Sequence, residues 1–174
     1  MKRTSLGLIS VVAVMAIGCS STEGDEDPLE ESQEQLRTGR LVPEDEVVML
    51  LRKYGFPERD IPRMVCTAKW ESSFFEASVN NNRRRGIIVS VDRGLFQINS
   101  VHLITIDPHT GEHVGTPNCP LAEDAEALLD ADTNVKCARE VFRGAGPSAW
   151  YGYRAHRRDR VQPCDAYRLG ETLP

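Results

Sequence analysis

Four cysteines, Cys66, Cys119, Cys137 and Cys164, restrict the folded part of this chain more than any other feature. They come after an apolar run from Leu6 to Ile17, which Lys2 and Arg3 precede and Gly18-Cys19 closes, the layout of a bacterial export signal. With Cys19 set aside, an even number of thiols in a chain sent to an oxidising compartment is expected to close two disulfides, and four cysteines leave three pairings open. Nothing in their spacing resembles a paired zinc motif. This largely apolar run of twelve residues falls short of the about 20 that a membrane-spanning helix needs. Ala16-Ile17-Gly18-Cys19 has the form of a lipobox, so residues 1–19 read as a lipoprotein signal peptide and Cys19 as the site of lipidation, whose acyl chains would hold the protein on a membrane.

Charge divides the rest of the chain. Residues 20–46 hold ten acids against Arg37 and Arg40, whereas residues 47–174 sum to +1, so the overall charge of −5 belongs to a tail. From Ser20 to about Gly39 almost no residue is apolar, and such a stretch cannot bury enough surface to offset the entropy of ordering. Residues 20–42 are therefore expected to be a disordered acidic tether, and residues 43–174 the one folded domain, with room for a single core.

Within that domain Pro43 and the acids Glu44, Asp45 and Glu46 predict a helix start, Val47, Val48, Leu50 and Leu51 its apolar face, and Gly55 its end. A second helix is expected near Asp60-Ile61-Pro62, with Met64, Val65 and Ala68 on one stripe and Glu71 a turn beyond. Asn80-Asn81-Asn82 and Gly86 read as turn residues and Ile87 to Val91 as β-branched strand, which together suggest a small hairpin. Residues 105–120 should form an irregular loop, followed by helical segments over 122–129, 133–142 and 148–154. The layout is α+β, helices around a small sheet.

Cleaving an acetal at neutral pH needs a proton for the leaving oxygen and negative charge near the developing oxocarbenium ion, which two carboxyl groups on opposite walls of a cleft supply. Glu71, beside an apolar stripe, suits the proton donor because desolvation disfavours its charged form. Asp92, on the polar hairpin among Ser90 and Arg93, suits the ionised partner. Alone, a helical Glu is usually a solvated charge and an Asp near Gly a turn former.

The strings Cys66-Thr-Ala-Lys-Trp-Glu71-Ser-Ser-Phe74 and Asp92-Arg-Gly-Leu-Phe-Gln-Ile-Asn-Ser100 resemble the two signature stretches of c-type (chicken-type) lysozymes. Leu128-Leu129, Asn134-Val-Lys-Cys137-Ala138 and Ala149-Trp150 follow in the family's order, and the similarity covers about Pro43 to Arg157. The resemblance implies a lysozyme-like fold with a cleft between two lobes. It also implies Glu71 as proton donor, Asp92 as nucleophile or electrostatic stabiliser, and Gln97, Asn99, Ala149 and Trp150 as substrate-binding positions. The substrate would be peptidoglycan, cut at the β-1,4 bond between N-acetylmuramic acid and N-acetylglucosamine. By the same resemblance Cys119 pairs with Cys137, which leaves Cys66 for Cys164 and requires a shifted path for the C-terminal segment.

The chain departs from the family pattern where Val101, His102 and Leu103 replace sugar-stacking tryptophans, and where Arg83-Arg84-Arg85 forms part of an insertion between the two acids. His102, His109 and His113 fit no compact zinc motif, and Thr133 and Asn134 stand where calcium-binding relatives carry acids, so no metal and no cofactor are expected. The expectation is an exported, membrane-anchored lipoprotein of the bacterial cell envelope, monomeric, with peptidoglycan strands and no nucleic acid as partner. Two alternatives are a lytic transglycosylase, which manages with one acid, and a non-catalytic peptidoglycan-binding module of the same fold.

Overall fold

The computed structural model describes residues 35–157 and 163–171. The signal segment, Cys19 and the tether up to residue 34 lie outside the described residues. The chain begins with a short strand β1 (Gln35–Leu36), helix α1 (Glu44–Lys53) and helix α2 (Ile61–Ser72), and then strands β2 (Val79–Arg84), β3 (Ile87–Arg93) and β4 (Ile98–Asn99). A two-stranded ribbon, β5 (Thr105–Ile106) with β6 (His113–Val114), interrupts the expected loop. Helices α3 (Ala131–Ala145) and α4 (Tyr151–His156) complete the order. Residues 122–129 are a kinked 3₁₀ segment rather than an α-helix, with Asp124 in a non-helical conformation.

Local chemistry explains the helix limits. Glu44, Asp45 and Glu46 occupy the first turn of α1, Arg52 and Lys53 its last, each at the dipole end that favours its charge. The Asp130 side chain caps α3 by accepting from the Thr133 amide at 2.8 Å. Helix α2 stops where Ser73 and Phe74 both turn left-handed, with φ of 54° and 67°.

The sheet has the order β1-β2-β3-β4, antiparallel throughout. Two expectations change here. Asn80, Asn81 and Asn82 are strand rather than turn, because the reversal falls at Arg85 and Gly86, both at positive φ. The last part of the supposed tether is structured: Gln35 and Leu36 pair with Asn80 and Val79, Thr38 donates to the Ala77 carbonyl, and Val42 is fully buried. Composition missed this because the segment contributes backbone hydrogen bonds and few apolar side chains.

One core joins the faces of α1, α2 and α3 to the loop after β3 through residues such as Leu51, Met64, Phe96, Leu128 and Val135. Asn134, fully buried in α3, clamps that loop: its side chain accepts from the Phe96 amide and donates to the carbonyls of Arg93 and Leu128. Gly94 lies under the clamp at φ 76°, where a Cβ would come within 2.1 Å of the Leu128 oxygen, so no other residue fits. Cys66 is bonded to Cys164 and Cys119 to Cys137. The shifted C-terminal path is held by the first of these bonds, by the Tyr153 hydroxyl on Asp165, and by the Tyr167 hydroxyl and Gly170 amide on Glu44. Arg158 and Arg160 lie outside the described residues.

Candidate active site

Helix α2 carries Glu71 one turn after the buried Ala68, at the edge of the core. Its carboxylate oxygen accepts from the Gly152 amide at 2.7 Å, a donor that opens α4. The Glu71 carboxyl is largely buried, and its pKa is pushed up to about 7, chiefly by loss of water. The Gly152 hydrogen bond opposes that shift, the charge of Asp92 adds to it, and the Arg154 guanidinium opposes it weakly. Trp150 supplies part of the apolar wall. It is buried against Phe96, with ring centroids 5.8 Å apart, and its indole N–H is tied to the Phe96 carbonyl at 2.8 Å.

The second acid has an opposite environment, set by strand register. Asn80 pairs with Asp92 and Asp92 with Asn99, so these three lie side by side across one sheet face. The period of two puts Asn82 and Ser90 on the same face. The amide groups of Asn82 and Asn99 donate to Asp92 at 2.9 and 2.7 Å, and Asn80 makes a longer contact of 3.4 Å. Ser90 receives the remaining hydrogens of Asn82 and Asn99, both at 3.0 Å. These N–H donors give the Asp92 oxygens hydrogen-bond partners and fix the orientation of the carboxyl group.

Both acids line two adjoining cavities, of about 240 and about 290 Å³, which also share Gln97 and Tyr151. The smaller cavity is bounded by Asn99, His102, Ala149, Trp150 and Arg154, the larger by Trp70, Asn80, Asn82, Gly152 and His156. The carboxyl pair therefore stands at the waist of one groove, with space for sugar rings on either side. Two carboxyl groups bordering one cavity are the residue types that glycoside hydrolysis uses.

The family model for the C-type lysozyme/alpha-lactalbumin family matches residues 46–166. The chain belongs to this family. Among its relatives, lysozyme C of Penaeus merguiensis is 36% identical over 116 residues, 64% of this chain and 70% of the relative. Lysozyme C-2 of Sus scrofa is 35% identical over 105 residues, 59% and 65% of the two chains, and the lysozyme of Bombyx mori 32% over 106, 61% and 71%. With this family membership the chain is a glycoside hydrolase of the lysozyme type, and its two disulfides belong to an oxidising, extracytoplasmic compartment.

All six residues that the sequence puts forward for catalysis and substrate binding, Glu71, Asp92, Gln97, Asn99, Ala149 and Trp150, line the smaller cavity of this lysozyme fold. Gln97 is nevertheless 8% exposed and its amide donates to the Ser78 and Gly94 carbonyls, so its polar end is engaged by the backbone. Asn80, Asn82 and Gly152 escape a reading of the sequence. Counting strand partners back from the turn at Arg85 and Gly86 would set Asn80 against Val91, and only the register shift after Asn82 brings Asn80 opposite Asp92. Gly152 carries no signal either, because it acts through its amide from 81 residues away. His102, in place of a stacking tryptophan, is hydrogen-bonded to Thr116 at 3.0 Å, and burial lowers its pKa while Asp92 opposes the change. Among the described residues no cluster of His, Cys, Asp or Glu is arranged to hold a metal ion.

Proposed function

We propose that the protein is a muramidase that hydrolyses the β-1,4 bond between N-acetylmuramic acid and N-acetylglucosamine with retention. The observation that carries this proposal is the contrast in one groove between a desolvated Glu71 titrating at about 7 and an Asp92 served by amide donors. Protonated Glu71 delivers its proton to the glycosidic oxygen as the bond to the anomeric carbon breaks. Asp92 attacks that carbon from the opposite side to form a glycosyl ester. Glu71, now a carboxylate, takes a proton from water, the water oxygen displaces Asp92, and both groups return to their starting states. Asn82 and Asn99 aim Asp92, and Asn99, Ala149 and Trp150 meet the sugar on one side of the cut.

The mass of the released fragments tests this. Digestion of purified peptidoglycan should yield reducing N-acetylmuramic acid ends that carry one water per cut. Fragments with anhydro ends would make the protein a lytic transglycosylase, and intact strands that still bind the protein would make it a carbohydrate-binding module.

The same proposal puts the enzyme in a bacterial envelope as a lipoprotein, processed before Cys19 and acylated on it. Lys2, Arg3, the apolar run and Ala16-Ile17-Gly18-Cys19 support this. Residues 20–34, with seven acids and no base, would then be the spacer between lipid and domain. Cys19→Ser should move the protein from the detergent phase to the aqueous phase on partition; unchanged partition excludes the anchor.

A further inference from the structure

The β2–β3 hairpin extends beyond the groove. Its base carries Asn80, Asn82, Ser90 and Asp92, but from Arg84 to Val89 every residue is exposed. The register shifts after Asn82: Asn82 pairs with Ser90 and Arg83 with Ile88, which leaves Val89 as the extra residue of a bulge. Arg83 folds back onto the Gly86 carbonyl at 3.0 Å, whereas the guanidinium groups of Arg84 and Arg85 have no partner among the described residues. Beside them Ile87, Ile88 and Val89 are 70%, 44% and 60% exposed. No acidic residue occurs between Glu76 and Asp92.

The tip thus combines three positive charges with three consecutive β-branched side chains that alternate between both faces of the ribbon. An exposed apolar strand is a pairing hazard that proteins usually blunt, so it calls for a covering surface. A dissolved polyanion would account for the arginines and leave the apolar residues in water. The headgroup layer of an anionic bilayer accounts for both, since phosphates meet guanidinium groups while apolar side chains reach the acyl boundary. The geometry points to the Arg83–Val89 tip as a docking device for an anionic lipid surface, distinct from the groove and from any acyl chain on Cys19. Because Asp92 lies on the same strands, docking would fix one end of the groove relative to the bilayer.

A tryptophan at the tip tests this. The full chain carrying Cys19→Ser and Ile87→Trp is mixed with brominated phosphatidylcholine vesicles, with and without phosphatidylglycerol, and its emission is compared with that of the Cys19→Ser parent. The added fluorescence should shift to the blue and be quenched by vesicles containing phosphatidylglycerol. Adding R84Q and R85Q should raise the lipid concentration for half-maximal quenching by about 25-fold, about fivefold per arginine, with hydrolysis of soluble glycan oligomers unchanged. Quenching that is absent, equal on pure phosphatidylcholine, or indifferent to R84Q and R85Q overturns the proposal. So does binding of soluble polyglycerol phosphate alone, which would mark a wall-polymer site. If Ile87→Trp fails to fold, hydrogen exchange of residues 84–89 in the Cys19→Ser parent reads the same interaction: protection by anionic vesicles supports docking, and its absence removes it.

Discussion

The two walls of the groove treat the same functional group in opposite ways. On the helical wall, Glu71 emerges from an apolar stripe, faces Trp150 and receives one backbone amide, so that removal of water dominates and the proton is held to about pH 7. On the sheet wall, Asp92 lies in a row of carboxamides whose hydrogens converge on it. A helix face and a strand face produce these environments for a geometric reason. The helix brings residues three and four apart together, and here those are Ala68 and the core, while the sheet brings partners from other strands alongside, and here those are asparagines. One fold thereby gives two carboxyl groups of the same groove a desolvated and a hydrogen-bonded setting.

The contrast can be broken first at Glu71. Glu71→Gln keeps the shape and the Gly152 hydrogen bond but has no proton to give, and peptidoglycan turnover should fall by about 10³-fold or more, within the range for loss of a general acid. Circular dichroism should show the fold unchanged. Asp92→Asn removes the negative charge opposite and should cost about 10²- to 10³-fold in kcat; a loss of less than tenfold would remove Asp92 from the chemical step.

Titration sharpens the contrast. Unfolded, Glu71 returns to its ordinary value of 4.5, so between that pH and about 7 the folded protein holds a proton that the unfolded chain lacks. The stability from this site is complete below about pH 4.5 and declines as pH rises to about 7, by on the order of 3 kcal/mol. Denaturant midpoints should show that slope in the parent and lose its contribution in Glu71→Gln, which becomes the more stable protein above pH 7. Activity should fall over the same upper range, with the alkaline limb of kcat/KM centred near pH 7.

The sheet wall is tested by Asn82→Ala and Asn99→Ala. Each removes a donor to a charged acceptor and should lower kcat about tenfold, with little change in the alkaline limb, because that limb belongs to the other wall. Gly152→Ala carries the smallest expected effect. A Cβ there would lie 2.8 Å from the Glu71 oxygen and 3.1 Å from the Trp70 Cβ. The carboxyl must shift slightly, with about a threefold loss of kcat and a displaced alkaline limb that the asparagine variants do not show.

Much of this architecture is legible in the residues alone. The helix around Val47 to Leu51 and the stripe that ends at Glu71 are set by periodicity, and the strand that holds Asp92 by its β-branched residues, both of which depend on neighbours in the chain. The strand identity of Asn80 and Asn82 is hidden because asparagine has a local preference for turns, and pairing with Asp92 overrides it. Residues 35–42 are hidden for a related reason: a segment with few apolar side chains can still add backbone hydrogen bonds to an existing sheet edge. The interrupted loop at 105–120 and the kinked 122–129 segment depend on contacts that no local pattern encodes.

By itself the sequence determined the helices that begin near Pro43 and Asp60, the presence of two acids in recognisable strings and the supply of four cysteines, because all three are written in residue type and short-range spacing. Only the tertiary structure decided which asparagines serve Asp92, that a glycine amide 81 positions away holds Glu71, and that the three-arginine hairpin stands clear of the groove. Those features arise from burial and from cross-strand register, which exist only once distant parts of the chain have been packed together.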